Sequence, residues 1–261
     1  MVRILSALVL IPAVVGAIWF LPPLGLLAVA EAVLWLAFFE YTRLAAAIGV
    51  RVPVVVPGFA AAGVCAAVAW PAGSADPVLM AAVVVMGALS IATARVGADV
   101  LATVVAALFA ALYLGLSLGA LVAVRWLVSR EAVLLLLLTI IVSDTAQLYV
   151  GSSLGRHLLA PAISPKKTVE GAVGGFAAGV GAIVVVGRWW LPGFGTASLV
   201  GLGVVVVSAG ILGDLFESQL KRTAGLKDSS ALIPGHGGVL DRIDAVLFAA
   251  PAYYLFLRYG S

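Results

Sequence analysis

Apolar stretches, each about as long as a bilayer-crossing helix, follow one another along this chain with only short breaks between them. A helix needs roughly 20 mostly apolar residues to cross about 30 Å of hydrocarbon. By that measure about nine spans are expected, over residues 3–20, 24–42, 52–70, 77–94, 99–123, 131–150, 169–190, 197–217 and 243–258. Pro22-Pro23, Pro53, Pro71 with Gly73, Pro77 and Pro192-Gly193 fall in the connections, where helix breakers belong. In lipid every backbone N–H and C=O must find its partner within the chain, which leaves helices as the economical solution for such runs. The expected fold is therefore all-α, a polytopic integral membrane protein. Composition excludes the soluble alternative. Of 261 residues 64% are hydrophobic and only 10% charged, too few charges to make a water-facing surface.

Charge sets the expected orientation. With the N-terminus and Arg3 in the cytoplasm, the same side receives Arg43, Arg51, Arg95, Arg156, Lys166, Lys167, Lys221, Arg222, Lys227 and Arg242. The other side receives Arg125, Arg130, Arg188 and Arg258. Basic residues concentrate in cytoplasmic loops, so the net charge of +3 and pI near 9.2 are read as membrane topology and not as a nucleic-acid footprint. No removable leader is expected, since no small-residue cleavage site follows the first apolar run. Cys65 is read as a small packing residue, because one cysteine makes neither an intramolecular disulfide nor a metal pattern. Gly171, Gly175 and Gly179, and likewise Gly115 and Gly119, recur at four-residue spacing, the pattern of closely packed membrane helices.

The chemistry is expected in the second half. Residues 1–130 read as scaffold helices, with little polarity beyond Glu31, Glu40 and Asp99, and residues 131–261 as the catalytic region with two cytoplasmic loops. Ionisable groups at membrane depth are costly and tend to be functional. Asp214, Ser218, Lys221 and Arg222 share a helical face near the end of the eighth span, and Asp241 and Asp244 share one at the start of the ninth. Two helix ends thus present carboxylates to a common loop, and few carboxylates with phosphate oxygens and water suit Mg²⁺. Pro234-Gly235-His236-Gly237-Gly238 lies between them. Its glycines permit close approach of backbone N–H groups to an anion. His236 could donate to a phosphate, act as a general acid, or be structural.

A second polar cluster precedes this one. Asp144, in Ser143-Asp144-Thr145, lies in an otherwise apolar run and needs a cation or strong donors there. Beyond it come Gly155-Arg156-His157 and Ser164-Pro165-Lys166-Lys167-Thr168-Val169-Glu170-Gly171. Lys167 suits a phosphate contact. Thr168 suits the N-cap of the seventh span, with Glu170 in its first turn.

Ser218, Lys221-Arg222, Lys227-Asp228, the Pro-x-His-Gly-Gly turn and Asp241-Arg242-Ile243-Asp244 together resemble the phosphatidate cytidylyltransferases, or CDP-diacylglycerol synthases. The Ser-Asp-Thr, Gly-Arg and Ser-Pro-x-Lys-Thr-x-Glu-Gly segments upstream are similar to the same family, so the resemblance covers about residues 140–250. It departs at Ser143, where the family often has Ala, and at Gln147, where a small residue is usual. The resemblance implies transfer of a cytidylyl group from CTP to phosphatidate in phospholipid biosynthesis, giving CDP-diacylglycerol and pyrophosphate. It implies Asp214 and Asp241 as ligands of Mg²⁺, with a second cation conceivable. It places Asp144, Lys221, Arg222, Lys227, His236, Asp241 and Asp244 at the reacting groups, and Ser164, Lys167, Thr168, Ser218, Gly237, Gly238 and Arg242 against the substrates. The expected partners are CTP, phosphatidate, the bilayer of a cell membrane and a second copy of the chain, with no nucleic acid. The alternatives are a related membrane nucleotidyl- or phosphotransferase acting on another lipid phosphate or alcohol, and a transporter. A transporter would need polar residues along a path through several spans, and the first five have almost none.

Overall fold

A computed structural model of the chain describes residues 2–93, 97–233, 235 and 237–260, with the side chains of residues 2–7 and Ala98 left aside. Arg95, Pro234 and His236 lie outside the described residues, as does the side chain of Arg3. The helices are α1 (Val2–Phe20), α2 (Pro23–Ala47), α3 (Val55–Ala69), α4 (Asp76–Ala92), α5 (Ala98–Ala110), α6 (Ser117–Leu127), α7 (Arg130–Leu154), α8 (Val169–Trp190), α9 (Thr196–Thr223) and α10 (Leu240–Tyr259). A π-helical turn, Ala111–Leu116, joins α5 to α6 in one continuous rod. Each of the expected spans thus has its helix or rod among the described residues, and the chain is an all-α polytopic membrane protein.

Five segments are long and apolar enough to cross a membrane: α2, the α5–α6 rod from Asp99, α7, α8 and α9. The third and fourth spans come out shorter than expected, at 15 and 17 residues. At about 1.5 Å per residue the 15-residue α3 reaches only about three quarters of the way across the hydrocarbon. Its small residues Gly58, Ala61 and Cys65 are buried against its neighbours. Helices α7, α9 and α10 run past the apolar stretches that revealed them, carrying Gly151–Leu154, Ser218–Thr223 and Leu240–Arg242 in helical form.

Glycine placement follows from backbone approach. A Cβ on Gly119 would sit 2.7 Å from the Cys65 carbonyl oxygen, and one on Gly115 would collide with that of Ala61, so α3 and the α5–α6 rod pack backbone against backbone. Gly171 and Gly175 lie equally close to the α7 backbone at Gln147 and Ser143. Cys65 is fully buried in the core, as the packing reading expects. Ala at position 115 is expected to cost about 1–3 kcal/mol through this overpacking, seen as a lower thermal midpoint in detergent. Ala at Gly87, where a Cβ would meet nothing within 4 Å, serves as the unperturbed control.

A short hairpin in the α7–α8 connection is the element that hydropathy does not announce. Strands β1 (Leu158–Ala160) and β2 (Ser164–Thr168) pair antiparallel, Leu158 with Thr168 and Ala160 with Ser164. Arg222 Nε donates to the Ile163 carbonyl at the hairpin tip, and Glu40 near the end of α2 bonds to Val239 and Leu240. The hairpin, the α9–α10 connection and the C-terminal part of α2 therefore gather at one end of the bundle. The other end is marked by Arg130, whose guanidinium lies 4.1 Å from the Trp19 ring centre.

Candidate active site

Four helices and the hairpin bring the charged residues together. Along α9, Asp214 lies three and four residues before Glu217 and Ser218, and Lys221 four and three residues after them, so the four share one side of the helix. Lys221 Nζ is held between two acids, pairing with Glu217 one turn back and with Asp241 Oδ1 at 2.5 Å. Glu217 is fully buried and the Asp241 side chain only 3% exposed, so this ammonium balances charge where water cannot. On the neighbouring side, Lys167 of β2 pairs with Asp214.

Asp144 on α7, Asp214 on α9 and Asp244 on α10 lie close enough to repel one another, with Lys167, Arg242 and Lys221 as the cations that offset the repulsion. Gln147, one turn beyond Asp144, donates its amide to Asp144 Oδ1 at 3.1 Å and to Ser143 Oγ at 3.3 Å. The departure from the family pattern at Gln147 therefore sits directly on Asp144. Asp244 Oδ1 accepts the Ala245 N–H at 2.8 Å. Three carboxylates, three helices and three cations make a centre suited to a polyanion that arrives with its own cation.

Asp241 is engaged at both oxygens. Oδ2 accepts the N–H groups of Ser229 (2.9 Å) and Gly238 (2.8 Å) and faces the Ser229 hydroxyl at 2.9 Å, while Oδ1 faces Lys221. The glycine turn thereby acquires a different reason from the one its sequence suggests. Gly237 adopts φ +82°, a left-handed conformation that strains any side chain, and its carbonyl accepts the Ile233 N–H. A Cβ on Gly238 would meet both carboxylate oxygens of Glu40 at 2.6 Å and collide with the Ser229 hydroxyl. The Gly238 amide, expected to face a substrate phosphate, is directed at Asp241. These glycines let protein carboxylates approach the backbone.

The remaining expected residues divide between structure and surface. Thr168 Oγ1 accepts the Gly171 N–H at 3.1 Å, the N-cap of α8, and Glu170 Oε2 accepts the Arg156 and His157 N–H groups. Ser164 sits in β2, partly buried, and Ser218 is likewise partly buried on α9. Arg222 is exposed and reaches the carbonyls of Ile163 and Leu226. Lys227 and Arg242 are exposed near the same end. His236, expected as a donor or general acid, falls outside the described residues.

Sequence reasoning passed over Glu40, Glu217 and Ser229 as site residues. Glu217 carried a signal, since it stands four residues before Lys221, the spacing at which a helical Glu and Lys meet. Glu40 and Ser229, far apart in the chain, carried none that pairs them.

Fold and centre together define a polytopic membrane protein with an acid-and-lysine site at one end of its helices. The chain belongs to the cytidylyltransferase family, whose family model matches residues 1–260. Among its relatives, a phosphatidate cytidylyltransferase of Synechocystis is 48% identical over 118 residues, 44% of this chain and 39% of the relative. One of Brucella suis is 46% identical over 115 residues, 44% of this chain and 42% of the relative. The uncharacterized protein YnbB of Escherichia coli is 41% identical over 117 residues, 45% of this chain and 39% of the relative. The chain spans about two fifths of the length of these curated relatives.

Proposed function

We propose that this protein transfers a cytidylyl group from CTP to phosphatidate, forming CDP-diacylglycerol and pyrophosphate. The observation that carries the proposal is the pair of lysines held on aspartates, Lys167 on Asp214 and Lys221 on Asp241 with Glu217, beside Asp144 and Asp244. The family relation and the relatives named phosphatidate cytidylyltransferase support the substrate pair.

In this reading a phosphatidate oxygen attacks the α-phosphorus of CTP. The bond from that phosphorus to the bridging oxygen of the β-phosphate breaks, and pyrophosphate leaves with the electron pair. Phosphatidate is already an anion near neutral pH, so no strong base is called for, and the obstacle is repulsion between two polyanions. Lys167, Lys221 and the exposed Arg222, Lys227 and Arg242 supply the positive field that draws them together. The lipid tails remain in the bilayer around apolar helices while the triphosphate enters from water.

Mg²⁺ fits the donor set. Asp214 and Asp241 offer hard carboxylate oxygens, and each already faces an ammonium, a cation in the place where a metal ligand would want one. Among the described residues no three acidic, histidine or cysteine side chains converge closely enough to cage a metal alone, which suits an ion that completes its shell with water and phosphate oxygens. Asp214 and Asp241 would hold it, with Asp144 and Asp244 next to them. When bound, such an ion neutralises the triphosphate and stabilises the leaving pyrophosphate. Lys167 and Lys221 would stand beside that ion and share the phosphate charge with it.

The site end faces the cytoplasm in this proposal, since CTP arrives there and since Arg43 of α2, Lys166 and Lys167 of the hairpin, and Arg51, Arg156 and Lys227 of the connections collect at that end. The test is an assay of the purified protein with phosphatidate, Mg²⁺ and CTP labelled at the α-phosphate. Labelled CDP-diacylglycerol is the expected product. No product, or equal turnover with ATP, sinks the assignment.

A further inference from the structure

Glu40 is the acidic residue of the first half that the structure draws into the centre. It lies near the end of α2 and is 3% exposed, yet all its hydrogen-bond partners lie about 190 to 200 residues later in the chain. Oε1 accepts the Ser230 hydroxyl at 2.6 Å and the Val239 N–H at 3.0 Å. Oε2 accepts the Leu240 N–H at 2.7 Å and faces the Ser229 hydroxyl at 3.0 Å. Val239 and Leu240 open α10, and the N-terminus of a helix favours a negative charge. Glu40 thus caps α10 from another helix.

One of these four residues, Ser229, also bonds Asp241. Ser229 gives its N–H to Asp241, and its hydroxyl lies between the two carboxylates, with one proton for whichever it faces. Gly238, next to the Glu40 partner Val239, gives its N–H to Asp241. Whatever fixes Ser229 and the first turn of α10 therefore fixes the position of the Asp241 carboxylate and, through it, Lys221.

We propose that Glu40 is a positioning residue of the site: by holding Ser229, Ser230 and the first turn of α10, it sets the Asp241–Lys221 pair. The inference rests on the cytidylyltransferase reading for its kinetic test but not for its structural one. Glutamine is a sharp probe, because each Glu40 oxygen accepts one backbone N–H. An amide NH₂ in either place would confront an N–H that cannot turn away, whereas the serine hydroxyls can.

The experiment combines turnover with hydrogen exchange on the full chain in detergent or nanodiscs. Glu40→Gln is expected to lower kcat about 30-fold, the scale of losing hydrogen bonds to a charged group. On an Asp241→Asn background it is expected to add nothing, because the two act through one arrangement. A purely structural role would multiply the losses. The amides of Val239 and Leu240, both bonded to Glu40, are expected to exchange at least about tenfold faster in Glu40→Gln than in the parent protein, by the same scale. Multiplying losses, or unchanged exchange at those amides, overturns the inference. If Glu40→Gln does not accumulate folded, Ser229→Ala takes its place in the cycle, with a several-fold loss that vanishes on the Asp241→Asn background. Full turnover in Ser229→Ala then overturns it. If the parent protein makes no CDP-diacylglycerol, the functional proposal falls, while amide exchange still decides the role of Glu40.

Discussion

Asp241→Asn is expected to lower cytidylyl transfer by about 10²–10³-fold, the range found when one preorganised electrostatic contact is removed from a reacting centre. One Asp241 oxygen receives two backbone N–H groups and the other an ammonium. An asparagine turned one way sets its NH₂ against the N–H groups of Ser229 and Gly238. Turned the other way, it sets it against Lys221. Either choice loses the carboxylate charge proposed to hold Mg²⁺. The check is steady-state turnover alongside a thermal midpoint in detergent, so that inactivation is separated from unfolding. Activity at the parent level would remove Asp241 from the machinery.

Lys221→Met is expected to show its largest effect on folding. Glu217 is fully buried and Asp241 nearly so, and the ammonium between them is the cation both face. Breaking a buried ion pair from one side costs about 3–5 kcal/mol, because the partner charge is left uncompensated. The predicted result is poor accumulation in membranes or a clearly lowered thermal midpoint. Adding Glu217→Gln should restore part of the loss, since it removes one stranded charge and leaves Asp241 its backbone donors. A single variant as stable as the parent would show that Lys221 is not needed to balance the buried acids.

Hydropathy made the helices legible because lipid leaves a chain few options. Each apolar run had to become a helix, and α2, α7, α8 and α9 lie where their runs do. Ends were less legible. Helix α9 continues through Ser218–Thr223 because Glu217 and Lys221 meet along it, a local pairing that hydropathy does not weigh. The hairpin β1–β2 was invisible, since three- and five-residue strands with Pro165 and two lysines have no strand-like alternation. At the site, charge anomalies pointed to Asp144, Asp214, Lys221, Asp241 and Asp244, which the fold does gather at one end. The glycine turn was seen, but not that its Gly238 amide bonds Asp241. Its shape serves Glu40 and Asp241, and a partner 200 residues distant leaves no trace in local spacing.

That distance governs how the protein must be made. Helix α2 leaves the ribosome long before Leu240 exists, and at roughly 5–20 residues per second the wait is about 10–40 s. Through that interval Glu40 is a carboxylate at the edge of the hydrocarbon with no helix end to receive it. Insertion of the early helices must tolerate a provisional partner, such as water or a lipid headgroup, which the arriving α10 displaces. Nascent chains cut short of residue 240 should therefore be recognisable to membrane quality control by that unmet charge.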